Sequence, residues 1–122
     1  MRKLLLVLAQ APGRPNGDVE DRLELLLGLT PQSQIDERAF REAPSPWFAT
    51  RQRPGRPQVR SELVRLDDGW ALQNIEDDGD DPLWALEGWL FRPGELVRLR
   101  RPDGAELLFR IVQVERAEPP RG

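Results

Sequence analysis

The chain of 122 residues contains no cysteine, no histidine and no tyrosine, and each absence excludes a kind of chemistry. Without cysteine there are no disulfides and no thiolate ligands for a metal. Without histidine, Ser-His-Asp and Cys-His arrangements, histidine acid–base steps and the usual zinc sites are excluded. The single lysine, Lys3, is the third residue, where Schiff-base chemistry is not expected. Paired carboxylates are the only catalytic device left, so we predict that the protein is not an enzyme and uses no cofactor.

What the chain does contain is enough apolar surface for one folded domain. Hydrophobic residues make up 39% of the sequence, charged residues 32%, and there are four tryptophans. This composition is typical of a globular chain rather than a disordered one. We predict a single domain over residues 1–116 and a disordered tail over residues 117–122, which contain Pro119-Pro120.

The basic residues are almost all arginine, and this bias is typical of a bacterial genome rich in G and C. The formal net charge of −3 gives no general attraction to phosphate backbones. A nucleic-acid partner is therefore not expected unless arginines gather in a local patch.

The N-terminal apolar run Lys3–Gln10 predicts a buried strand, because it is short and continuous and a proline- and glycine-rich loop follows it. The alternative is a secretory leader, since a basic start and Ala9-Gln10-Ala11 resemble one. The run is shorter than a leader's apolar region and far shorter than the ~20 residues that span a bilayer. We expect a cytoplasmic protein without membrane contact.

Two helices are predicted after this strand. Asp18 is a favourable N-cap and Gly28 a C-terminal stop, and apolar residues lie between them at helical spacing, which predicts a helix over residues 18–27. Thr30-Pro31 resembles a second helix start and predicts a short helix over residues 31–42. The apolar positions are Val19, Leu23, Leu26 and Leu27 in the first helix, and Ile35, Ala39 and Phe40 in the second.

The pentapeptide Glu-Leu-Val-Arg-Leu occurs twice, at Glu62–Leu66 and Glu95–Leu99, and an Asp-Gly turn follows each copy. We predict two β-hairpins with three-residue loops, because that loop length places apolar residues on one face of each hairpin. The predicted pairs are Leu99 with Leu107, Val97 with Phe109, Arg100 with Glu106, Leu66 with Trp70 and Val64 with Leu72. A two-residue Asp68-Gly69 turn is the alternative for the first hairpin.

Two further apolar stretches predict strands. Leu83–Phe91 has apolar residues on both faces, and Leu107–Val114 is apolar on both faces at its far end, as in a covered central strand. We therefore predict an α+β domain: an N-terminal strand and one or two short helices, followed by a mainly antiparallel sheet that forms a small sandwich or a partly open barrel.

Acidic residues are concentrated in residues 76–81, five in six positions. Acids around a glycine suggest a calcium loop, but counting from Asn74 places Ala85 where an EF-hand needs glutamate. A solvated loop, or one that pairs with the arginine-rich segment, is favoured over metal binding.

The candidate partner-binding residues are four arginines in a ten-residue stretch and one tryptophan. Guanidinium groups bind carboxylates and phosphates, and an exposed tryptophan can anchor a protein partner. These residues are Arg51, Arg53, Arg56, Arg60 and Trp89.

These five residues lead to two hypotheses. The first is a non-catalytic bacterial interaction or accessory domain with a protein partner, or a homodimer formed through an exposed strand edge. The alternative is an anion- or nucleic-acid-binding module centred on Arg51–Arg60.

Overall fold

The computed structural model describes residues 1–43, 45–75 and 83–117, which form a closed barrel of eight antiparallel strands. The strands follow one another around the barrel in chain order, and the last pairs with the first. They are β1 (Arg2–Gln10), β2 (Asp18–Leu27), β3 (Phe48–Gln52), β4 (Val59–Leu66), β5 (Gly69–Asn74), β6 (Trp84–Glu87), β7 (Leu96–Arg100) and β8 (Glu106–Arg116), with one helix, α1 (Glu37–Glu42), between β2 and β3. The α+β prediction is therefore wrong: in the part of the chain described, the fold is nearly all β.

The largest error concerns residues 18–27, which form β2 and not a helix. Leu23 and Leu25 point into the barrel and are buried, whereas Arg22 and Glu24 between them are exposed. A leucine-rich segment fits both a helical and an alternating pattern, and pairing with β1 and β3 selects the strand. Val19, which the helix would have buried, is 70% exposed.

The second predicted helix, over residues 31–42, is shortened to α1. Thr30 begins a turn instead of a helix, because its carbonyl accepts from the Ser33 N–H at 2.9 Å and its hydroxyl accepts from the Gln34 N–H at 3.2 Å. The helix begins only after Asp36, whose carboxylate accepts from the Ala39 N–H at 3.0 Å as an N-cap.

The hairpin of β7 and β8 has the predicted register: Val97 pairs with Phe109, Leu99 with Leu107 and Arg100 with Glu106. The three-residue loop closes through the Arg101 N–H, which donates to the Ala105 carbonyl at 2.9 Å. Gly104 has φ of 93°, the left-handed conformation that this loop requires.

The predicted register of the hairpin of β4 and β5 is wrong. Leu66 pairs with Gly69 and Leu63 with Leu72, so the turn consists of Asp67 and Asp68 alone. The Arg65 guanidinium donates to the carbonyls of Leu66 and Gly69 and braces this tighter turn. As a result Leu63, and not Val64, faces the core.

Three strand predictions have different outcomes. Lys3–Gln10 lies within β1, as predicted, whereas Leu83–Phe91 is reduced to β6. Leu107–Val114 lies within β8, but its outer face is not covered. A bulge opposite β1 between Leu5 and Leu6 displaces Val112, which is 45% exposed.

One end of the barrel is closed by side chains and by α1; we call it the plugged end. Phe40 of α1 packs edge-to-face on Trp47 and Trp70, with ring centroids 5.3 and 5.0 Å away. The Phe91 N–H donates to the Ser33 carbonyl at 2.7 Å and ties the β6–β7 connection to the segment before α1. The opposite end, where β3, β5 and β7 finish, we call the mouth.

An ion pair fixes α1 to the barrel. Arg65 on β4 donates from Nε to the Glu37 carboxylate at 3.1 Å, and Arg41 of the same helix donates to it at 2.9 Å. The hydrogen bond from Arg65, helped by the charge of Arg41, lowers the pKa of Glu37 below its usual value. The helix that closes the plugged end is thus held by aromatic packing on one side and by charge on the other.

Closure of the barrel bears on the homodimer hypothesis. Each strand that the structure describes is hydrogen-bonded on both sides, so none of them offers the free edge on which the homodimer hypothesis depended.

Across residues 1–43, 45–75 and 83–117, no helix is long and apolar enough to cross a membrane. The acidic segment 76–81, with its suggested metal or arginine pairing, and most of the predicted tail lie outside the described residues.

Candidate anion-binding site

The inward-facing side chains of five strands change from apolar to polar near the mouth. On β2, Leu25 and Leu23 are followed by Asp21 toward the mouth. Ala49 on β3 is followed in the same direction by Arg51. The same change occurs from Leu63 to Ser61 on β4, from Leu72 to Asn74 on β5, and from Leu99 to Arg101 just beyond β7. Since side chains alternate between the two faces of a strand, these polar groups point into the barrel.

Asp21 lies beside an irregularity in β2. Val7 pairs with Arg22, but the next residue of β1, Leu8, pairs with Asp18, so residues 19–21 have no partner on β1. Asp21 lies next to this bulge, on the same inward face as Leu23 and Leu25, and is 0% exposed.

Two arginines neutralise the buried carboxylate. Arg51 donates from Nε to Asp21 Oδ1 at 3.0 Å and from Nη2 to Oδ2 at 2.8 Å, a bidentate pair. Arg14 donates to Oδ2 at 3.2 Å. The Arg51 side chain is only 16% exposed, and its guanidinium carbon lies 5.7 Å from the centre of the Phe109 ring. The site thus already contains a carboxylate held by guanidinium groups.

Arg53 also lies at the mouth and lines the same cavity as Arg51. Partial burial lowers the pKa of its guanidinium, and the nearby positive charges of Arg51 and Arg56 lower it further. Within the described ranges, it makes no ion pair with a carboxylate. Arginine remains charged at neutral pH despite such a shift, so Arg53 presents a positive charge that an incoming anion would stabilise.

Arg101 lies near Trp84 on the neighbouring strand. Its guanidinium carbon is 5.3 Å from the centre of the Trp84 ring, a cation–π contact. Its Nε is shielded from solvent without a hydrogen bond, and the Asp103 carboxylate lies 3.7 Å from that atom. Arg101 is therefore held by the tryptophan ring and by the Asp103 carboxylate.

These groups surround a cavity of about 220 Å³ inside the mouth. Its lower wall is apolar and its rim is polar and cationic. The lining residues are Leu23, Ala49, Arg51, Arg53, Val59, Ser61, Leu72, Asn74, Trp84, Leu99 and Arg101. The mouths of barrels are frequent ligand sites because strands fix the lining side chains rigidly.

A larger depression of about 610 Å³ lies at the plugged end, between α1 and the ends of β1 and β8. Its charged groups are balanced, since Arg2 and Arg116 face Asp36 and Glu42. Among the cavities formed by described residues, the one at the mouth combines clustered like charge with an apolar interior.

The structure separates the four arginines that the sequence grouped together. Arg51 and Arg53 line the cavity, whereas Arg56 lies in the exposed β3–β4 connection. Arg60 points outward from β4, with its guanidinium carbon 4.2 Å from the centre of the Phe48 ring. Only the first two can act on one ligand inside the barrel.

Trp89, the fifth predicted contact residue, is 78% exposed in the connection after β6. That connection lies at the plugged end, so Trp89 and Arg53 belong to opposite ends of the molecule. They do not form one surface.

Sequence reasoning missed most of the cavity. Asp21 was placed in the predicted helix over residues 18–27, Trp84 within the predicted strand Leu83–Phe91, and Arg101 beside the loop of the second hairpin. The signal was present as alternation: Asp21 precedes Leu23 by two positions, and Arg101 follows Leu99 by two. Only a correct strand assignment on all six strands that line the cavity would have brought these positions together.

No family model, no curated protein and no solved structure matches this chain. Its function is therefore argued from the geometry of the mouth.

Proposed function

We propose that this protein is a non-catalytic binding protein that holds a small anion in the cavity at the mouth of its barrel. The observation that carries the proposal is the set of inward-facing arginines that lie next to the apolar interior of the barrel. Arg51 is neutralised by Asp21, whereas Arg53 lacks a carboxylate among the described residues. A bound anion would supply the missing negative charge in a partly desolvated place, where charge-assisted hydrogen bonds are strong.

Binding is favoured over catalysis by the residues available. The sequence has no histidine, cysteine or tyrosine, and Lys3 is far from the cavity on β1. Asp21, the buried carboxylate of the described chain, is occupied by Arg51 and Arg14 and is not placed to act as a base.

A small anion is favoured over a nucleic acid. The cavity is recessed and holds about 220 Å³, whereas a phosphate backbone needs cations spread along an open surface. Arg56 and Arg60 lie outside the cavity, and the formal net charge is −3. These features support a small ligand.

The test is a thermal-shift titration with phosphate, sulfate and acetate against chloride at equal ionic strength. An anion at ten times its Kd stabilises the folded state by about 1.4 kcal/mol, which raises the Tm. We expect this shift in the wild type, and we expect Arg53→Ala to abolish it.

Arg110→Ala is the matched control, because Arg110 is an exposed arginine on the outer face of β8. It should retain the full shift. If no anion raises the Tm of the wild type above the chloride reference, or if Arg53→Ala keeps the whole shift, the proposed function is wrong.

A protein partner is the second candidate, and the exposure of Trp89 favours it. Trp89 and Leu96 are 78% and 46% exposed near one another at the plugged end. Exposed tryptophans are enriched among interface anchors. Sedimentation of the wild type and of Trp89→Ala over a range of concentrations tests self-association: identical, concentration-independent monomers would remove that form of the hypothesis.

A further inference from the structure

The cavity at the mouth has two chemically different parts, and a ligand that fits it must have both. Its lower wall consists of leucines and an alanine, namely Leu23, Leu72, Leu99 and Ala49, all buried among the inward-facing side chains. Its rim carries Arg53 and Arg101 together with the polar groups of Ser61 and Asn74. An inorganic anion would use the rim and leave the apolar part of the cavity unfilled. An uncharged apolar molecule would cover the leucines and desolvate the arginines without compensation.

The volume of the cavity limits the size of the ligand's apolar part. Pockets for drug-sized ligands occupy ~300–1,000 Å³, and this cavity is smaller at about 220 Å³. At ~30 Å³ per molecule in the liquid, it corresponds to roughly seven waters. The ligand is therefore a short molecule, not a long chain or a fused ring system.

The chemical nature of the ligand's charged group is indicated by an ion pair already present at the mouth. Arg51 holds the Asp21 carboxylate through two hydrogen bonds, of 3.0 and 2.8 Å, one to each oxygen. A planar carboxylate matches the planar guanidinium group in this way. Arg53 and Arg101 offer further guanidinium groups at the same end of the barrel.

We infer that the ligand is a small amphipathic monocarboxylate, with its carboxylate at Arg53 and Arg101 and a short apolar body against Leu23, Leu72 and Leu99. This inference rests on the proposed function and makes it more specific. The fluorescence of Trp84 should report binding, because an apolar body that enters the cavity displaces water from around the Trp84 ring.

The experiment measures the Kd of linear carboxylates from acetate to decanoate by calorimetry, with inorganic phosphate and the matching primary alcohols as references. Each added methylene that enters the apolar cavity should tighten binding about fourfold. The gain should stop at the length that fills the cavity, and each alcohol should bind at least about tenfold more weakly than its carboxylate.

Two variants assign the ends of the ligand. Arg53→Gln, or Arg101→Gln if the first is poorly folded, should weaken every carboxylate by a similar factor and leave the gain per methylene unchanged. Ala49→Leu narrows the apolar part and should shorten the preferred chain; Ser61→Leu, nearer the rim, is the replacement if Ala49→Leu lowers the Tm severely. Arg110→Ala should match the wild type throughout.

The possible failures are distinguishable. If phosphate and all carboxylates bind equally, without a gain per methylene, the amphipathic ligand is refuted while the anion site remains. If alcohols bind as tightly as carboxylates, the role of the arginines is refuted. If none of these probes binds, the inference and the proposed function both fail.

Discussion

Asp21 and Arg51 illustrate how a single misassigned residue changes the apparent role of another. Considered in the sequence alone, Arg51 belonged to an exposed basic segment with a charge free for a partner. In the structure, Asp21 holds that charge from a position thirty residues earlier. Removing one member of a buried ion pair leaves the other charge buried without compensation, which costs more than the pair itself contributes.

Asp21→Asn should therefore destabilise the protein strongly. We expect a loss of about 3–5 kcal/mol, because Arg51 stays inside the barrel without a counter-charge. The free energy of unfolding from urea titrations measures it. Asp68→Asn, at an exposed turn position, is the control and should change stability by less than about 0.5 kcal/mol.

A double-mutant cycle separates the ion pair from other effects of the substitution. Arg51→Met combined with Asp21→Asn removes both charges, so the double variant should be more stable than Asp21→Asn alone. A double variant that is less stable by the sum of both single losses would contradict the pairing.

At the scale of elements, the connection between β1 and β2 depends on a close approach of two backbone segments. Gly17 has φ of 72°, and a Cβ atom added there would lie 2.2 Å from the Leu8 carbonyl oxygen. Gly13, in the same connection, has φ of 76° but no atom within 4 Å of such a Cβ. The two glycines therefore have similar backbone conformations, but only a side chain at residue 17 would collide with the backbone of β1.

Gly17→Ala should destabilise the barrel by more than Gly13→Ala. Both substitutions incur the cost of alanine at positive φ, about 1 kcal/mol. Only Gly17→Ala must also displace the backbone of β1. We expect a clearly lower Tm for Gly17→Ala, and equal Tm values would contradict the close approach.

Local patterns predicted some elements well and others not at all. The β7–β8 hairpin was predictable in register because its turn and its apolar alternation agreed. In β2 the two signals conflicted, since four leucines in five positions from Leu23 to Leu27 fit a helix and a strand equally. The tight turn between β4 and β5 depends on Arg65, whose bonds to two carbonyls leave no trace in a pattern of apolar residues.

At the scale of the whole molecule, closure of the barrel was not predictable from the sequence. It requires β1 to pair with β8, about a hundred positions away, and no local motif specifies that partner. The cavity was not predictable for the same reason, since its lining residues come from six strands or their ends. Recognising Arg51 and Arg53 as candidates was possible; recognising that they point inward was not.

The closing ladder can be tested with a pair of neighbouring substitutions on β8. Ile111 pairs with Leu6 and is 0% exposed, whereas the bulge leaves the adjacent Val112 45% exposed. Ile111→Asp places a charge inside the barrel and should cost more than about 4 kcal/mol, enough to unfold the protein.

Val112→Asp is the matched control and should change stability by about 1 kcal/mol or less. Circular dichroism and gel filtration compare the two variants. Equal behaviour of both would refute the bulge and the pairing of β8 with β1.

The Ala117 N–H donates to the Met1 carbonyl at 3.1 Å, beside the plugged end. Anything fused before Met1 or after Ala117 is thus attached on the side of the molecule remote from Arg53. A tag or surface tether at Met1 or Ala117 would hold the barrel with its mouth directed into solution, so that immobilised protein keeps the cavity accessible to ligand.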